Sequence, residues 1–158
     1  MKLKGVLVLA AVLWIGGIGK VAAEDLPGHK EVEKGIQVLS QLFVKGDKNG
    51  IMGLMTVDHI AITPYYGGPL TVLEELKNLS DHRLEEYGMG KAKLTSMAKG
   101  VVLVHYPLTL KGTYKEKTVS GKYHVGAVWV QRDGKWLEAF YQESLVEGKK
   151  GTLGKGGE

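Results

Sequence analysis

The sequence predicts an α+β domain in which N-terminal helices pack in a curved antiparallel sheet. Three observations support this fold class. Apolar residues recur every three or four positions in the first part of the domain, and the pattern changes to strand-like alternation after Arg83. An Asp133-Gly134 dipeptide then separates two runs of β-forming residues, as in a hairpin. The 158 residues suffice for one domain with a sizeable core.

A secretory signal peptide is expected at residues 1–23. Lys2 and Lys4 precede an apolar run broken only by glycines, and small residues at 21–23 fit a cleavage site. The alternative is a retained membrane anchor, for which the run is short, since a span takes about 20 residues. We therefore expect a signal peptide at 1–23, a domain at 24–146 and a disordered Gly/Lys tail at 147–158.

The composition limits the cellular locations and the binding partners that are expected for this protein. The signal segment holds three lysines and no acid, so without it the formal net charge of +4 falls by three, to +1. Nucleic-acid binding and stable membrane insertion after cleavage are not predicted. The absence of cysteine excludes disulfides and thiolate chemistry. A secreted or periplasmic protein without cofactor or metal is expected.

Three helices are predicted before the sheet. The spacing of apolar residues predicts the first helix at about 29–45, ended by Gly46. Asp47 can cap a short second helix that reaches about Leu54. Pro69 suits the first turn of a third helix. The residues expected to face the core are Val32, Ile36, Leu39, Phe43, Ile51, Leu54, Met55, Val72, Leu73, Leu76 and Leu79.

Five strands are predicted. The first, 58–63, lies between the second and third helices, and a loop containing Tyr65 follows it. The others run over 83–97, 100–114, 118–131 and 135–145. Short polar connections join the last four strands, which predicts an antiparallel meander.

Two-residue turns allow the register to be counted. A type I′ turn at Asp133-Gly134 places Trp129 opposite Glu138 and Gln131 opposite Trp136. A second such turn at Lys115-Glu116 places Val102 opposite Trp129. By strict alternation, one face carries Trp129, Trp136 and Phe140, and the other carries Val128, Val130, Leu137, Ala139 and Tyr141.

The same count brings polar residues together on the second face. His105, His124, Tyr141 and Glu143 are expected to converge around Gly126. Apolar walls with a few placed polar groups are typical of a small-molecule pocket, and Tyr65 can lie at its rim. The alternative is that His124 and Glu143 form an ordinary cross-strand pair.

Two further interpretations of these residues remain open. A His124–Glu143 pair can act as a general acid/base, because a carboxylate can orient an imidazole. His59 and Thr63 share one side of the first strand. If that side faces inward, His59 can join the cluster as a metal ligand, although its spacing matches no metal motif.

The sequence resembles the nuclear transport factor 2-like superfamily, which includes ketosteroid isomerases and polyketide-cyclase-like proteins. The resemblance rests on GDKNGIMGLMTVDHIAITP (46–64) and VWVQRDGKWLEAFYQES (128–144), and covers about 31–146. It implies a cone-shaped α+β barrel around a pocket, with Leu137, Ala139, Tyr141 and Glu143 lining it. The Trp129/Trp136 face would then lie outward as a homodimer surface. Thr63 stands where the isomerases have their catalytic aspartate, so steroid isomerisation is not expected.

The leading hypothesis is an exported, non-catalytic domain that binds a small apolar or aromatic ligand. Its expected contacts are Tyr65, His105, His124, Tyr141 and Glu143. One alternative is an isomerase, cyclase or hydrolase that uses His124 and Glu143. Another is a homodimeric association domain without a ligand.

Overall fold

The computed structural model describes residues 28–148, with side chains described through residue 146. The expected signal peptide and residues 149–158 of the expected tail lie outside this range. Within it, three helices pack in a strongly curled sheet, so the chain forms an α+β cone.

The first two helices form as predicted. Helix α1 spans His29–Lys45 and ends at Gly46, whose φ of 69° is the left-handed conformation that glycine adopts readily. Helix α2 spans Lys48–Met52, and the side chain of Asp47 accepts a hydrogen bond from the backbone N–H of Gly50. The residues that α1 buries lie on one side of it, which fixes the side that covers the sheet.

The third helix begins later than predicted. Helix α3 spans Val72–Asn78, and Thr71 caps it in a reciprocal capping box with Glu74. Pro69 therefore lies before the helix, not in its first turn. The two residues after Pro69 pair instead with the first strand. A short 3₁₀ turn at Leu79–Asp81 follows α3.

One eight-stranded sheet contains all the strands of the described residues. They are β1 (Met55–Ile62), β2 (Leu70–Thr71), β3 (His82–Met89), β4 (Lys93–Ala98), β5 (Val101–Tyr114), β6 (Lys117–Thr118), β7 (Gly121–Arg132) and β8 (Lys135–Gly148). The main order is β2-β1-β8-β7-β5-β3, and β4 and β6 also pair with β5. The predicted single strand at 83–97 is thus two strands, β3 and β4, on successive parts of β5. Strand β8 extends two residues into the segment expected to be a tail.

The predicted cross-strand pairs near the two turns are confirmed. Trp129 lies opposite Glu138 and Gln131 opposite Trp136. Val102 lies opposite Trp129 in the neighbouring pair of strands. Both turns have positive φ at their central residues, as a type I′ turn requires. The sheet is mixed, however, because β1 pairs in parallel with β8.

A bulge in β8 overturns the predicted division of its side chains between faces. Trp129 pairs with Glu138, but Val128 pairs with Phe140, so Ala139 is an extra residue. Beyond Ala139 the alternation reverses. Tyr141 and Glu143 consequently lie on the same face as Trp129, and Phe140 lies on the other.

The face that carries Trp129 is the concave, buried one. Trp129 is 0% exposed, and its ring packs so closely under α1 that a Cβ on Gly35 would lie 2.7 Å from it. Trp136 is half-buried and packs against Gly28. The prediction of an outward Trp129/Trp136 dimer surface is therefore wrong. It rested on the family resemblance, which assigned Leu137, Ala139, Tyr141 and Glu143 to the pocket, together with strict alternation along β8.

Candidate functional site

A cavity lies between α1, α3 and the concave face of the sheet. The space open to the centre of a water molecule is about 60 Å³. At roughly 10–15 Å³ per water, this admits about four waters or a small organic molecule. Apolar side chains of α1 form one wall. The polar lining includes three glutamates, two histidines, several tyrosines, Ser40 and Thr63.

His59 lies between two buried carboxyl groups. Its Nδ1 is 3.4 Å from Oε2 of Glu75, and its Nε2 is 3.3 Å from Oε2 of Glu138. The three side chains come from β1, α3 and β8, and each is at most 5% exposed. Parallel pairing of β1 with β8 brings His59 and Glu138 together. The imidazole thus lies within ion-pairing distance of both carboxyl groups.

Burial shifts the pKa values of both carboxyl groups. Removal from water raises the pKa of Glu75 to about 7, although His59 and a 3.0 Å hydrogen bond from Tyr66 oppose the change. Burial also raises the pKa of Glu138, against the effect of His59. Glu75 is therefore able to gain or lose a proton near neutral pH.

A second group of hydrogen bonds ends on Glu143. The hydroxyl of Tyr141 donates to Oε1 of Glu143 at 2.6 Å. Tyr87 links the hydroxyls of Tyr141, at 3.3 Å, and Tyr106, at 2.7 Å. Burial raises the pKa of Glu143 to about 7, and hydrogen bonding from Tyr141 and then Tyr65 opposes that rise. The carboxyl group is thus poised to gain or lose a proton at neutral pH.

Aromatic rings close one end of the cavity. Tyr65, Tyr66, His82 and Tyr114 have ring centroids 4.6–5.9 Å apart. Burial lowers the pKa of His82 to about 4, so its imidazole is neutral at pH 7. Burial likewise raises the pKa values of Tyr65 and Tyr66, which keeps both hydroxyls protonated.

Several polar atoms of the lining are buried without a hydrogen-bond partner among the described residues. They include Oε2 of Glu143, both ring nitrogens of His82 and Oγ1 of Thr63. Buried polar atoms usually have a partner, because an unsatisfied one costs about 1–3 kcal/mol. These atoms define where a polar group of a bound molecule would be received.

The structure brings three of the five predicted site residues together. Tyr65, Tyr141 and Glu143 line the cavity. His105 and His124 lie on the convex face, with Nδ1 of the former 3.4 Å from Nε2 of the latter. They do not reach the cavity.

The expected His124–Glu143 pair is wrong. Glu143 lies opposite Val125, and His124 lies opposite Ser144. The bulge at Ala139 shifts the register of β8 by one residue and so separates the two side chains. Gly126 also faces away from the cavity, since a Cβ at this position would meet no atom within 4 Å.

Other residues of the site were missed or only partly anticipated. The inward side of β1 was recognised as a possibility, and His59 and Thr63 do both line the cavity. The predicted register correctly placed Glu138 opposite Trp129. The face that carries both residues was, however, predicted to point outward. Glu75 lies three residues after Val72, on the buried side of α3, and this spacing was the available signal.

In residues 28–148, no three acidic or histidine side chains are arranged to hold a metal ion. In the same range, no helix has the length and apolar character needed to cross a membrane.

Comparison with known proteins identifies the fold. No family model and no curated protein sequence matches the chain. A solved nuclear transport factor 2-like protein from Cytophaga hutchinsonii is similar, with a TM-score of 0.70 and 18% identity over 77% of this chain and 100% of that chain. A nuclear transport factor 2-like protein of unknown function in nutrient uptake, from Rhodospirillum rubrum, has a TM-score of 0.67 and 15% identity over 73% and 98%.

A third similar structure is the CaMKII hub homology domain of Chlamydomonas reinhardtii. Its TM-score is 0.62, with 16% identity over 77% of this chain and 99% of that chain. The chain therefore has the nuclear transport factor 2-like fold. At these identities the likeness defines the fold alone.

Proposed function

We propose that this protein binds a small molecule in the cavity beneath α1. The observation that supports this proposal is a partly open cavity that combines apolar walls with buried polar atoms lacking a hydrogen bond, such as Oε2 of Glu143. Such a site suits a ligand with an apolar or aromatic body and a polar group at one end. Leu39 and Phe43 of α1 lie on the apolar side, and Glu143 lies on the polar side.

Native mass spectrometry of the purified protein tests this proposal. We expect a bound mass that is lost when Ser40, which lines the cavity, is replaced by Phe. Gln37→Phe is a matched control, because Gln37 is an exposed residue of the same helix. Circular dichroism checks that both variants fold. An unliganded wild-type protein whose melting temperature no member of a metabolite library raises would contradict ligand binding.

A second candidate function is acid/base catalysis, such as an isomerisation, a cyclisation or a hydrolysis. Glu143 favours it, since a carboxyl group with a pKa of about 7 exchanges protons readily at neutral pH. Tyr141 would orient that carboxyl group. For any reaction found, we expect Glu143→Gln to abolish turnover, whereas the exposed Glu86→Gln keeps it. Equal rates for wild type and Glu143→Gln would exclude this role.

Export is proposed on the basis of residues 1–23. The expected outcome in a bacterial host is a periplasmic protein whose N-terminus is Glu24. Fractionation and N-terminal sequencing measure it. An intact Met1 in the cytoplasmic fraction would rule export out.

Homodimer formation remains a proposal, now on the convex face of the sheet. Leu103, Val128 and Phe140 are half-buried apolar residues there, on three adjacent strands. We expect Leu103→Glu to produce monomers, because a charge in an apolar interface is costly. Thr109→Glu, at an exposed position of the same strand, serves as control. Sedimentation velocity measures the oligomeric state, and a monomeric wild-type protein would contradict the proposed dimer.

A further inference from the structure

Resting on the proposed binding function, we infer that the ligand is a small organic cation with N–H donors. An alkylammonium, an amidinium or a guanidinium group has this chemistry. Glu143 would receive its positive group, close to the acidic cluster of Glu75 and Glu138 and beside the aromatic rings of Tyr65 and Tyr66.

The charges that line the cavity are unbalanced. Glu75, Glu138 and Glu143 contribute carboxyl groups, whereas no lysine or arginine is among the lining residues described. His59 is the basic side chain beside two of them, and its two nitrogens already lie 3.4 Å from Glu75 and 3.3 Å from Glu138. Glu143 has no cationic neighbour in the lining. A buried carboxylate without a counter-ion is unfavourable, so a positive ligand would complete the site.

The free hydrogen-bonding capacity also favours a donor. Tyr141 donates to Oε1 of Glu143 and the Tyr65 hydroxyl also lies near this carboxyl group, but Oε2 is buried without a hydrogen bond of good geometry. An ionised carboxylate only accepts hydrogen bonds, so its complement is an N–H or O–H group. A charged N–H donor forms the stronger bond, and an amidinium or guanidinium can use two of its N–H groups.

The aromatic end of the cavity is suited to a cation as well. Tyr65 and Tyr66 pack edge to face, with ring centroids 5.1 Å apart, and both line the cavity. The faces of such rings attract cations within about 6 Å. An anionic ligand would meet the same rings and three carboxyl groups, with no basic side chain to hold it.

Binding of a cation should release protons. Glu143 is partly protonated at pH 7 because burial raises its pKa, and a cation beside it would lower that pKa. Affinity is therefore expected to increase as the pH rises through about 7. The titratable groups that share this site are His59, Tyr65, Tyr66, Glu75, His82, Tyr87, Tyr106, Tyr123, Glu138 and Tyr141. Glu75, with a pKa also near 7, is expected to contribute to the same rise.

Calorimetric titration with three small probes tests the inference. Methylguanidinium is the cation, methylurea is a neutral molecule of nearly the same shape, and acetate is the anion. We expect methylguanidinium to bind at least about tenfold more tightly than methylurea at pH 8, as a charge-assisted hydrogen bond allows. The preference should shrink at pH 6, and buffers of different ionisation enthalpy should show proton release.

Matched variants locate the effect. Glu143→Gln keeps the size of the side chain and its acceptor for Tyr141, but should remove the preference for the cation. Glu86→Gln removes an exposed carboxylate and should leave the preference unchanged. A cation preference that persists in Glu143→Gln would overturn the assignment of the site.

The remaining outcomes separate this inference from the proposed function. Equal or tighter binding of methylurea or acetate overturns the cation class while small-molecule binding stands. Absence of heat from all three probes at millimolar concentration also overturns the cation class. In that case native mass spectrometry of the purified protein tests ligand binding independently.

Discussion

The hydroxyl of Tyr141 donates a 2.6 Å hydrogen bond to Oε1 of Glu143, two residues further along β8. Both side chains lie on the concave face, where the bulge at Ala139 has placed them. This pair sets the polar end of the cavity. Its protonation is the property most open to measurement.

Stability should depend on pH through Glu143. Its pKa is about 7 in the folded protein, against a reference value of 4.5, so the folded state holds this proton more tightly than the unfolded state. Folding is therefore favoured at low pH, and this contribution is lost as the pH rises from about 4.5 to about 7. The full loss is about 3–4 kcal/mol, at about 1.4 kcal/mol for each pKa unit.

Urea unfolding at pH 5 and pH 8 measures this effect. Glu143→Gln should lack it, so the variant gains stability relative to wild type as the pH rises. Glu86→Gln is the control and should follow wild type. Parallel pH profiles for wild type and Glu143→Gln would show that the carboxyl group is not buried as described.

Removal of one hydroxyl should shift one carboxyl pKa. Tyr141→Phe is expected to raise the pKa of Glu143 further, because the hydrogen bond from Tyr141 favours the ionised form. Tyr66→Phe should do the same to Glu75. Carbon-13 NMR titration of the carboxyl groups measures both. The two variants are controls for each other, and a fall in either pKa would contradict the hydrogen-bond assignment.

Alanine at Gly35 should destabilise the fold, although alanine normally favours a helix. Its Cβ would lie 2.7 Å from the ring of Trp129, which is fully buried and has no room to move. We expect a loss of about 1–3 kcal/mol, typical of overpacking. Gly126→Ala meets no atom within 4 Å and should change stability by less than about 0.5 kcal/mol. Equal stability of the two variants, measured by urea unfolding, would argue against the close contact of α1 with the sheet.

Truncation of Trp129 should cost about 3–5 kcal/mol, as for other buried aromatic residues. Val57→Ala is a suitable comparison, since Val57 is 90% exposed, and we expect a change of less than about 0.5 kcal/mol. Thermal and urea unfolding provide the measurement. A folded, wild-type-like Trp129→Ala protein would restore the outward position that strict alternation suggested.

Local signals accounted for much of the fold. The limits of α1, the cap at Asp47 and both two-residue turns follow from neighbouring residues, and the pairs that those turns define were predicted correctly as far as the bulge at Ala139. The bulge at Ala139 has no such signature. A single extra residue reversed the faces of β8, so His105 and His124 were placed in the site while Glu138 was left out.

Long-range pairing was the other limit. Nothing local to β1 indicates that it pairs in parallel with β8, and this pairing places His59 beside Glu138. The side of β1 that faces inward could be predicted from the sequence, but the side chains that it contacts could not. Glu75 belongs to the site because α3 packs against β1, and this packing also depends on the assembled fold.

The pairing of β1 with β8 has a consequence for folding kinetics. Strand β8 is the last strand of the described chain, so every strand between β1 and β8 is synthesised before β1 can pair with β8. Until β8 docks, His59 and Glu75 lack Glu138, and the edge of β1 that β8 will occupy is open. Such distant contacts slow folding and leave the partly folded chain prone to association. A nascent chain of this protein would therefore gain most from a chaperone that covers β1 until the final hairpin closes.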